Sequence, residues 1–128
     1  MASPYNKLWT KTSFAKVPGI GEQDGLGDEA VAHVKICCIR TGTRWYIFEY
    51  DKETGRAYCW CKRPGDDGSF GYTAIREVNP GDYLSEDRGG VLQCVNDSMR
   101  FPPYERESHF SPITIAKIRE KFANGLAA

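Results

Sequence analysis

The hydrophobic and polar positions alternate most regularly between residues 45 and 72, and this pattern predicts a β-meander. Its first strand covers residues 44–50, where a period of two divides the side chains between two faces. One face carries Tyr46, Phe48 and Tyr50, and the other carries Trp45, Ile47 and Glu49. Because both faces are largely apolar, this strand is expected to lie at the centre of the sheet.

The meander turns at residues 51–55 and again at residues 64–68, both of which contain Asp and Gly. In the first turn Asp51 can hydrogen-bond the backbone, and Gly55 can take the positive φ of a bulge-type hairpin. The return strand, residues 56–62, carries Tyr58, Trp60 and Lys62 on one face and Ala57, Cys59 and Cys61 on the other. The face of small residues is expected to pack more tightly. A third strand follows over residues 70–75, and a short helix from residue 73 is the alternative.

The segment before the meander has two parts. Residues 1–30 hold scattered apolar anchors and a glycine-rich loop, and residues 31–39 are β-branched and apolar, which predicts a buried strand. The spacing of Gly19 and Gly21 superficially resembles a phosphate-binding loop. Asp24 stands where the third glycine of such a loop belongs and no strand precedes it, so a flexible surface loop is expected.

The segment after the meander ends in the clearest helix of the chain, predicted over residues 111–124. Before it, residues 79–90 are turn-rich and residues 91–95 predict an edge strand. Ser111 is a suitable N-cap and Pro112 suits the first helical position. The apolar stripe of the helix consists of Ile115, Ile118 and Phe122, and Gly125 provides a stop signal.

These elements predict an α+β fold, an antiparallel β-meander sheet of about four to five strands with the C-terminal helix packed on one face. The 128 residues are expected to form a single domain. It would consist of an irregular N-terminal segment (1–30), the sheet (31–110) and the helix (111–124).

The composition narrows the class of protein further. The 17 basic and 17 acidic residues balance, so nucleic-acid binding would require a local basic patch. No apolar run reaches the roughly 20 residues of a membrane span, and the first residues do not resemble a signal peptide. We therefore expect a cytoplasmic protein without membrane partners, in which the five cysteines are free thiols.

Several short motifs resemble the domain of unknown function 2958 family, small proteins of plasmids, phages and integrated elements. The residues that carry the resemblance, in order, are Val34-Lys35, Trp45-Tyr46, Glu49-Tyr50-Asp51 with Thr54-Gly55, Gly71-Tyr72, Glu105-Arg106-Glu107, Phe110 and the closing helix. Thr73-Ala74 departs from the Phe-Ser of the family, and Glu107 stands where the family has Asp. The resemblance implies a mobile-element origin and no particular chemistry.

The cysteines and histidines offer one possible metal site. Cys59 and Cys61 share a strand face, and Cys37 or Cys38 on a neighbouring strand could approach them. A four-ligand zinc site would be completed by His33, His109 or Cys94. Because the spacing is Cys-x-Cys within a strand and no Cys-x-x-Cys knuckle is present, buried thiols are expected instead, with no metal and no cofactor.

The acidic residues offer a polar cluster of Glu49, Glu105, Arg106, Glu107 and His109. Glu49 interrupts an apolar strand face and is expected to pair with Arg56, Lys62 or Arg106 as a partly buried ion pair. The alternative is that a carboxyl of this cluster acts as a catalytic acid, which requires two groups with separated pKa values in one cleft. No recognised nucleophile motif is present, so no catalytic residue is assigned.

Aromatic and charged residues of the meander form the candidate binding surface. It consists of Trp45, Lys52, Arg56, Tyr58, Trp60, Lys62, Arg63, Asp66 and Asp67. Exposed sheet aromatics with nearby cations could stack on the bases of a single strand. Those rings that the helix covers would instead belong to the core.

These observations favour a small non-enzymatic phage or mobile-element accessory protein that acts by protein–protein binding. Inhibition of a host defence system, of the anti-CRISPR or anti-restriction type, would fit that origin by analogy alone. Two alternatives remain open: a single-stranded nucleic-acid-binding module, and a small hydrolase-like enzyme or metal protein.

Overall fold

The computed structural model of the protein describes residues 14–38, 41–74, 83–86, 92–95, 104–107 and 110–125. Its strands are β1 (Val31–Ala32), β2 (Val34–Cys38), β3 (Arg44–Tyr50), β4 (Arg56–Lys62), β5 (Ser69–Ala74), β6 (Tyr83–Glu86), β7 (Leu92–Val95), β8 (Tyr104–Arg106) and β9 (Ile113–Thr114). A 3₁₀ turn at Gly27–Glu29 precedes β1, and the C-terminal helix Ile115–Ala123 follows β9.

The main sheet has five antiparallel strands in the order β5-β4-β3-β2-β8. Strands β2 to β5 are consecutive neighbours, as in the predicted meander, and β3 lies at the centre. Two small ribbons accompany the sheet, in which β1 pairs with β9 and β6 pairs with β7. The α+β fold and the antiparallel sheet with its C-terminal helix are thus confirmed.

The sheet separates two hydrophobic cores. On the helix face, Tyr46, Phe48 and Trp60 are fully buried against Ile115 and Ile118 of the C-terminal helix. Phe122 packs at the margin of the same core, so the predicted apolar stripe is the contact surface of the helix. Each such buried side chain contributes about 1.5–3 kcal/mol relative to exposure.

The opposite side of the sheet, here called the N-terminal face, is closed by the segment that precedes the sheet. Phe14 and Val17 are buried there against Trp45, Ile47 and Cys59. These two apolar residues of the irregular N-terminal segment therefore complete the second core. The small residues of β4 leave room for this packing, as expected from the sequence.

A β-bulge in β3 breaks the predicted alternation. Ile47 pairs with Cys59, but the next pair is Glu49 with Tyr58, so Phe48 is an extra residue on its strand. Beyond the bulge the faces exchange, and Tyr50 joins the N-terminal face, where its ring lies 4.8 Å from that of Phe14. The assignment of Tyr50 to the face of Tyr46 and Phe48 was wrong because a strict period of two cannot follow an inserted residue.

The helix begins four residues later than predicted. Ile113 and Thr114 pair with β1 as strand β9, and this pairing holds the backbone extended past Pro112. Thr114, rather than Ser111, is the N-cap, and its Oγ1 accepts a hydrogen bond from the Lys117 amide at 3.3 Å. The stop signal is confirmed, because Gly125 has a φ of +76° and donates to the Phe122 carbonyl.

Three other sequence predictions change in the structure. Residues 73 and 74 continue β5, which excludes a helix start at 73. The turn-rich segment 79–90 contains strand β6, with which β7 pairs, so β7 is part of a separate ribbon and not an edge of the main sheet. That edge is β8, whose polar sequence gave no strand signal.

The first hairpin turn has the predicted chemistry. Asp51 Oδ1 accepts a hydrogen bond from the Glu53 amide at 2.9 Å, and Gly55 has a φ of +77°. The hydrogen bond from the Glu53 backbone, followed by that from the Thr54 hydroxyl, lowers the pKa of the Asp51 carboxyl.

We expect the Asp51 carboxyl to titrate at a lower pH in the folded protein than in the urea-unfolded chain. Because the folded pKa is the lower one, its contribution to stability is present above the unfolded pKa, near 4, and is lost as the pH falls through the folded pKa. Carbon-13 NMR titration of the carboxyl measures both values. An equal or higher folded pKa would contradict the hydrogen bonds of this turn.

The second turn packs directly on the helix-face core. Gly68 has a φ of +76°, and a Cβ at this position would overlap the six-membered ring of the Trp60 indole. Gly65, in the same turn, has a φ of +86°, but a Cβ there would meet open space among the described residues. At position 68 both the positive φ and the contact with Trp60 require glycine, whereas at position 65 only the positive φ does.

Gly68→Ala and Gly65→Ala form a matched pair that separates steric overlap from backbone strain. Gly65→Ala should lower the free energy of unfolding by about 1 kcal/mol, the cost of a left-handed alanine. Gly68→Ala should lower it by about 3–4 kcal/mol, because the overlap with Trp60 adds to that strain. Urea denaturation measures both values, and equal losses would show that the turn does not press on the indole.

Candidate functional site: an aromatic cleft with acidic walls

A cleft of about 320 Å³ opens on the helix face beside Ile115, the first residue of the C-terminal helix. Its floor is aromatic and consists of Phe48, Tyr58, Phe70 and Tyr72 from β3, β4 and β5. Its wall is the glycine-rich loop before β1, which contributes Gln23, Asp24, Gly25, Gly27 and Asp28. We call this site the aromatic cleft.

Three rings of the floor form a continuous ladder across β4 and β5. The rings of Tyr58 and Phe70 stack at 5.4 Å between centroids with an interplanar angle of 6°, and Tyr72 lies 5.0 Å from Tyr58. Tyr72 is 51% exposed and Phe70 is 37% exposed. The sheet therefore presents large rings to solvent at the place where the helix does not cover it.

Two arginines of the chain lie against rings of this ladder. The guanidinium carbon of Arg56 is 3.8 Å from the centroid of Tyr72. The guanidinium of Arg119 on the C-terminal helix lies 5.8 Å from the centroid of Phe70 and 3.4 Å from Asp28 Oδ1. Arg119 thus contacts both an aromatic ring and an aspartate at the margin of the cleft.

All charged residues that line the cleft are acidic, namely Asp24, Asp28 and Glu49. Burial raises the pKa of the Tyr58 hydroxyl, and the neighbouring Tyr72 and the carboxylates of Glu49 and Asp24 raise it further. Tyr58 is accordingly a neutral hydrogen-bonding group beside carboxylates.

Glu49 is buried and binds the wall loop. Its two carboxylate oxygens accept hydrogen bonds from the backbone amides of Gly21 at 2.9 Å and Gln23 at 2.7 Å. The expected ion pair with Arg56 or Lys62 was wrong, because backbone amides supply the compensation for the buried charge. The same amides are therefore not available to a phosphate group. The side chain of Arg106, the third candidate, lies outside the described part of the structure, so that pairing stays a prediction.

Gln23 fixes the same loop to two strands. Its amide nitrogen donates to the carbonyls of Val31 at 2.9 Å and Phe48 at 2.8 Å, and its amide oxygen accepts from the Val31 amide at 2.7 Å. Phe48 is the extra residue of the bulge, where the ladder of hydrogen bonds is interrupted. The bulge thus provides the carbonyl that the Gln23 side chain binds.

The three aromatic residues of the predicted binding surface do not lie together in the structure. Trp45 is 2% exposed on the N-terminal face, and Trp60 is 1% exposed under the C-terminal helix. Neither indole offers a surface for base stacking. Tyr58 is half-buried and belongs to the aromatic cleft.

The charged members of that surface are divided between two turns. Lys52 is exposed in the first turn, and Arg56 follows it beside Tyr72. Near the second turn, Lys62 Nζ lies 3.8 Å from Asp66 Oδ1, which also accepts from the amides of Arg63 and Gly68. Arg63 contacts the Cys61 sulfur at 3.5 Å, and Asp67 is exposed. Lys62 and Asp66 therefore stabilise the turn.

The predicted polar cluster is not assembled around Glu49. Only β2 separates β8, which holds Glu105 and Arg106, from β3, the strand of Glu49, but Arg106 lies in line with Trp45, four residues from Glu49. At ordinary strand dimensions the backbones of Arg106 and Glu49 are then about 15 Å apart. Glu107 follows β8 and lies 3.5 Å from the buried Lys35 Nζ. His109 lies outside the described residues. Glu49 and Glu107 thus have separate partners and form no acid–base pair.

The cysteines lie on both faces of the sheet. Cys38 and Cys59 are buried in the N-terminal face, and burial, followed by the nearby Cys61, raises the pKa of the Cys59 thiol to about 12. A smaller cavity of about 160 Å³ lies beside Cys61 and Arg63. In the described part of the chain, no group of three His, Cys, Asp or Glu side chains could hold a metal ion. The zinc hypothesis also includes Cys94 and His109, whose side chains lie outside the described part of the structure.

Sequence reasoning did not select Phe70, Tyr72, Asp24 or Gln23 as site residues. The two aromatic residues were assigned to the third strand, and a period of two places them on the face of Tyr58. Their exposure depends on how much of the sheet the C-terminal helix covers, and the sequence pattern does not predict that extent. Asp24 and Gln23 lie in a loop whose position is set by a bulge that the pattern did not reveal.

No family model, curated protein or solved structure matches this chain. The resemblance to the domain of unknown function 2958 family therefore stays a hypothesis that rests on the short motifs. Within the described residues, no helix has both the length and the apolar character needed to cross a membrane.

Replacement of Glu49 should release the wall of the cleft. In Glu49→Gln one amide oxygen can still accept a hydrogen bond, but the new NH₂ group would face a backbone donor. We expect a loss of about 2–4 kcal/mol in the free energy of unfolding, because charge-assisted bonds are lost and a backbone amide is left unpaired.

The matched control is Glu53→Gln, the same chemical change in the exposed first turn, for which we expect less than about 0.5 kcal/mol. Urea denaturation measures both variants, and amide hydrogen exchange at Gly21 and Gln23 should accelerate only in Glu49→Gln. Equal stability of the two variants would refute the anchoring role of Glu49.

Proposed function

We propose that this protein is a non-enzymatic accessory protein that acts by binding another protein, and that the aromatic cleft is its contact surface. The observation that carries this proposal is the exposed ladder of Tyr58, Phe70 and Tyr72. Aromatic residues are enriched at protein interfaces because they bury a large area at a low cost in conformational entropy. Exposed aromatic patches on small domains commonly mark such contacts.

The biological setting that we propose rests on the family resemblance. A compact domain of phage or mobile-element origin, with equal numbers of acidic and basic residues, fits an accessory protein that inhibits a host defence complex in the cytoplasm of the host. In that reducing compartment the cysteines would remain thiols. The anti-CRISPR or anti-restriction type of inhibition is the specific form of this hypothesis.

Single-stranded nucleic acid is a less favoured ligand of this surface. The two tryptophans that stacking would use are buried, and the charged residues that line the cleft are acidic, while Arg56 and Arg119 already lie against its exposed rings. Carboxylates at the rings would repel phosphate groups, whereas nucleic-acid sites are basic. Arg56 is the one cation of the predicted surface that lies on this ladder.

An enzymatic role is also less favoured. Glu49 is the buried carboxylate of the cleft, and two backbone amides occupy it. General acid–base catalysis needs a second titratable group within reach of the same substrate, and Glu107 lies beside Lys35 instead. The geometry of the cleft therefore supports binding better than catalysis.

Photo-crosslinking from the cleft tests the proposed function in the native host. A benzoylphenylalanine at Tyr72 should capture one defined protein, since that ring is exposed at the contact surface. The same probe at Glu120, which is exposed on the C-terminal helix outside the lining of the cleft, is the control and should not capture it. Capture of nucleic acid, or the same proteins from both positions, would count against the proposal.

A further inference from the structure

The cleft combines two features that together recognise a positive charge. Its floor presents the faces of aromatic rings, which carry negative potential, and its charged lining residues are all carboxylates. A cation above such rings gains both the attraction of the ring quadrupole and that of the acids. Arg56 and Arg119 at the margins of the cleft offset part of this negative charge.

The chain itself supplies two examples of this recognition. Arg56 lies over Tyr72, and Arg119 lies over Phe70 while it contacts the carboxylate of Asp28. In both cases the group is a guanidinium, whose plane and donors suit an aromatic face and a carboxylate at the same time. These two contacts lie at the margins of the cleft, and Tyr72 remains half exposed beside them.

One acid of the wall, Asp24, has no such partner among the described residues. In the described part of the chain, the Asp24 carboxylate makes no hydrogen bond and no ion pair, whereas Asp28 pairs with Arg119 and Glu49 binds the loop amides. Asp24 is exposed in the loop that Glu49 and Gln23 hold in place. It can therefore accept hydrogen bonds from a ligand without breaking an internal contact.

We propose that the aromatic cleft binds an arginine side chain presented by the protein partner, which would contact the exposed part of the Tyr72 ring and take Asp24 as its carboxylate. This inference rests on the proposed function, since it names the chemistry of the partner at that surface. The cleft volume of about 320 Å³ is near the lower limit for ligand sites, so it suits one side chain rather than a folded segment.

The probe is N-acetyl-arginine-amide, and N-acetyl-citrulline-amide is its neutral control of nearly equal shape. In NMR titrations at millimolar concentrations, the arginine compound should shift the ring signals of Tyr58, Phe70 and Tyr72 in a saturable way. The citrulline compound should produce shifts that are several times smaller, because the charge supplies most of the attraction. Equal shifts from both compounds overturn the proposal.

Matched variants separate the contributions of charge and ring. Asp24→Asn and Tyr72→Leu should each weaken arginine binding by roughly threefold or more. Asp67→Asn, the same change at an exposed aspartate of the second turn, should bind as the unmodified protein does. Tyr72→Phe, which keeps the ring, should weaken binding less than Tyr72→Leu does. Unchanged binding by both Asp24→Asn and Tyr72→Leu overturns the proposal.

The two levels of inference fail in different ways. If the arginine compound does not bind but a protein is still captured from position 72, the arginine proposal is wrong and the proposed function stands. If the arginine compound binds with the expected variant pattern but no protein is captured, the cleft chemistry stands and the proposed function is wrong.

Discussion

The buried carboxylate of Glu49 is the interaction on which the arrangement of this molecule depends. A charge taken out of water must recover its solvation, and here two backbone amides of the glycine-rich loop provide it. That loop has little apolar surface of its own to hold it against the sheet. Without Glu49 and the neighbouring Gln23, the wall of the aromatic cleft would lose its position, although the two cores of the sheet would remain.

The cleft exists because the helix face is only partly covered. The C-terminal helix begins after β9 and buries Tyr46 and Trp60, but its reach ends before the outer part of β4 and β5. The rings of Tyr58, Phe70 and Tyr72 continue the same face without such a cover. One surface of the sheet therefore contains both a folding core and an open aromatic surface, and the start of the helix determines where one becomes the other.

Much of the fold could be predicted from sequence because local chemistry determines it. Alternation identified the meander, Asp51 and Gly55 identified its first turn, and the stripe of Ile115, Ile118 and Phe122 identified the helix. The helix start could not be predicted, since a distant strand pairs with residues 113 and 114 and competes with the local cap.

The candidate site was less predictable for a related reason. Which aromatic rings are exposed depends on packing between elements, so Trp45 and Trp60 could not be distinguished from Phe70 and Tyr72 by residue type. The partner of Glu49 was also hidden, because backbone amides carry no sequence signature. Pairing of Glu49 with a cation was the reasonable expectation for a charge on an apolar face, and a glycine-rich loop far along the chain met that need instead.

The bulge at Phe48 divides β3 into two parts in which odd-numbered side chains lie on opposite faces of the sheet. Up to Ile47 the odd-numbered residues face the N-terminal segment, and beyond Phe48 the even-numbered ones do. If the same residues paired without the bulge, a uniform period of two would place Glu49 on the N-terminal face and Tyr50 on the helix face, so that the acid would enter a hydrophobic core. The single inserted residue therefore decides which side of the sheet receives the only acid of this strand.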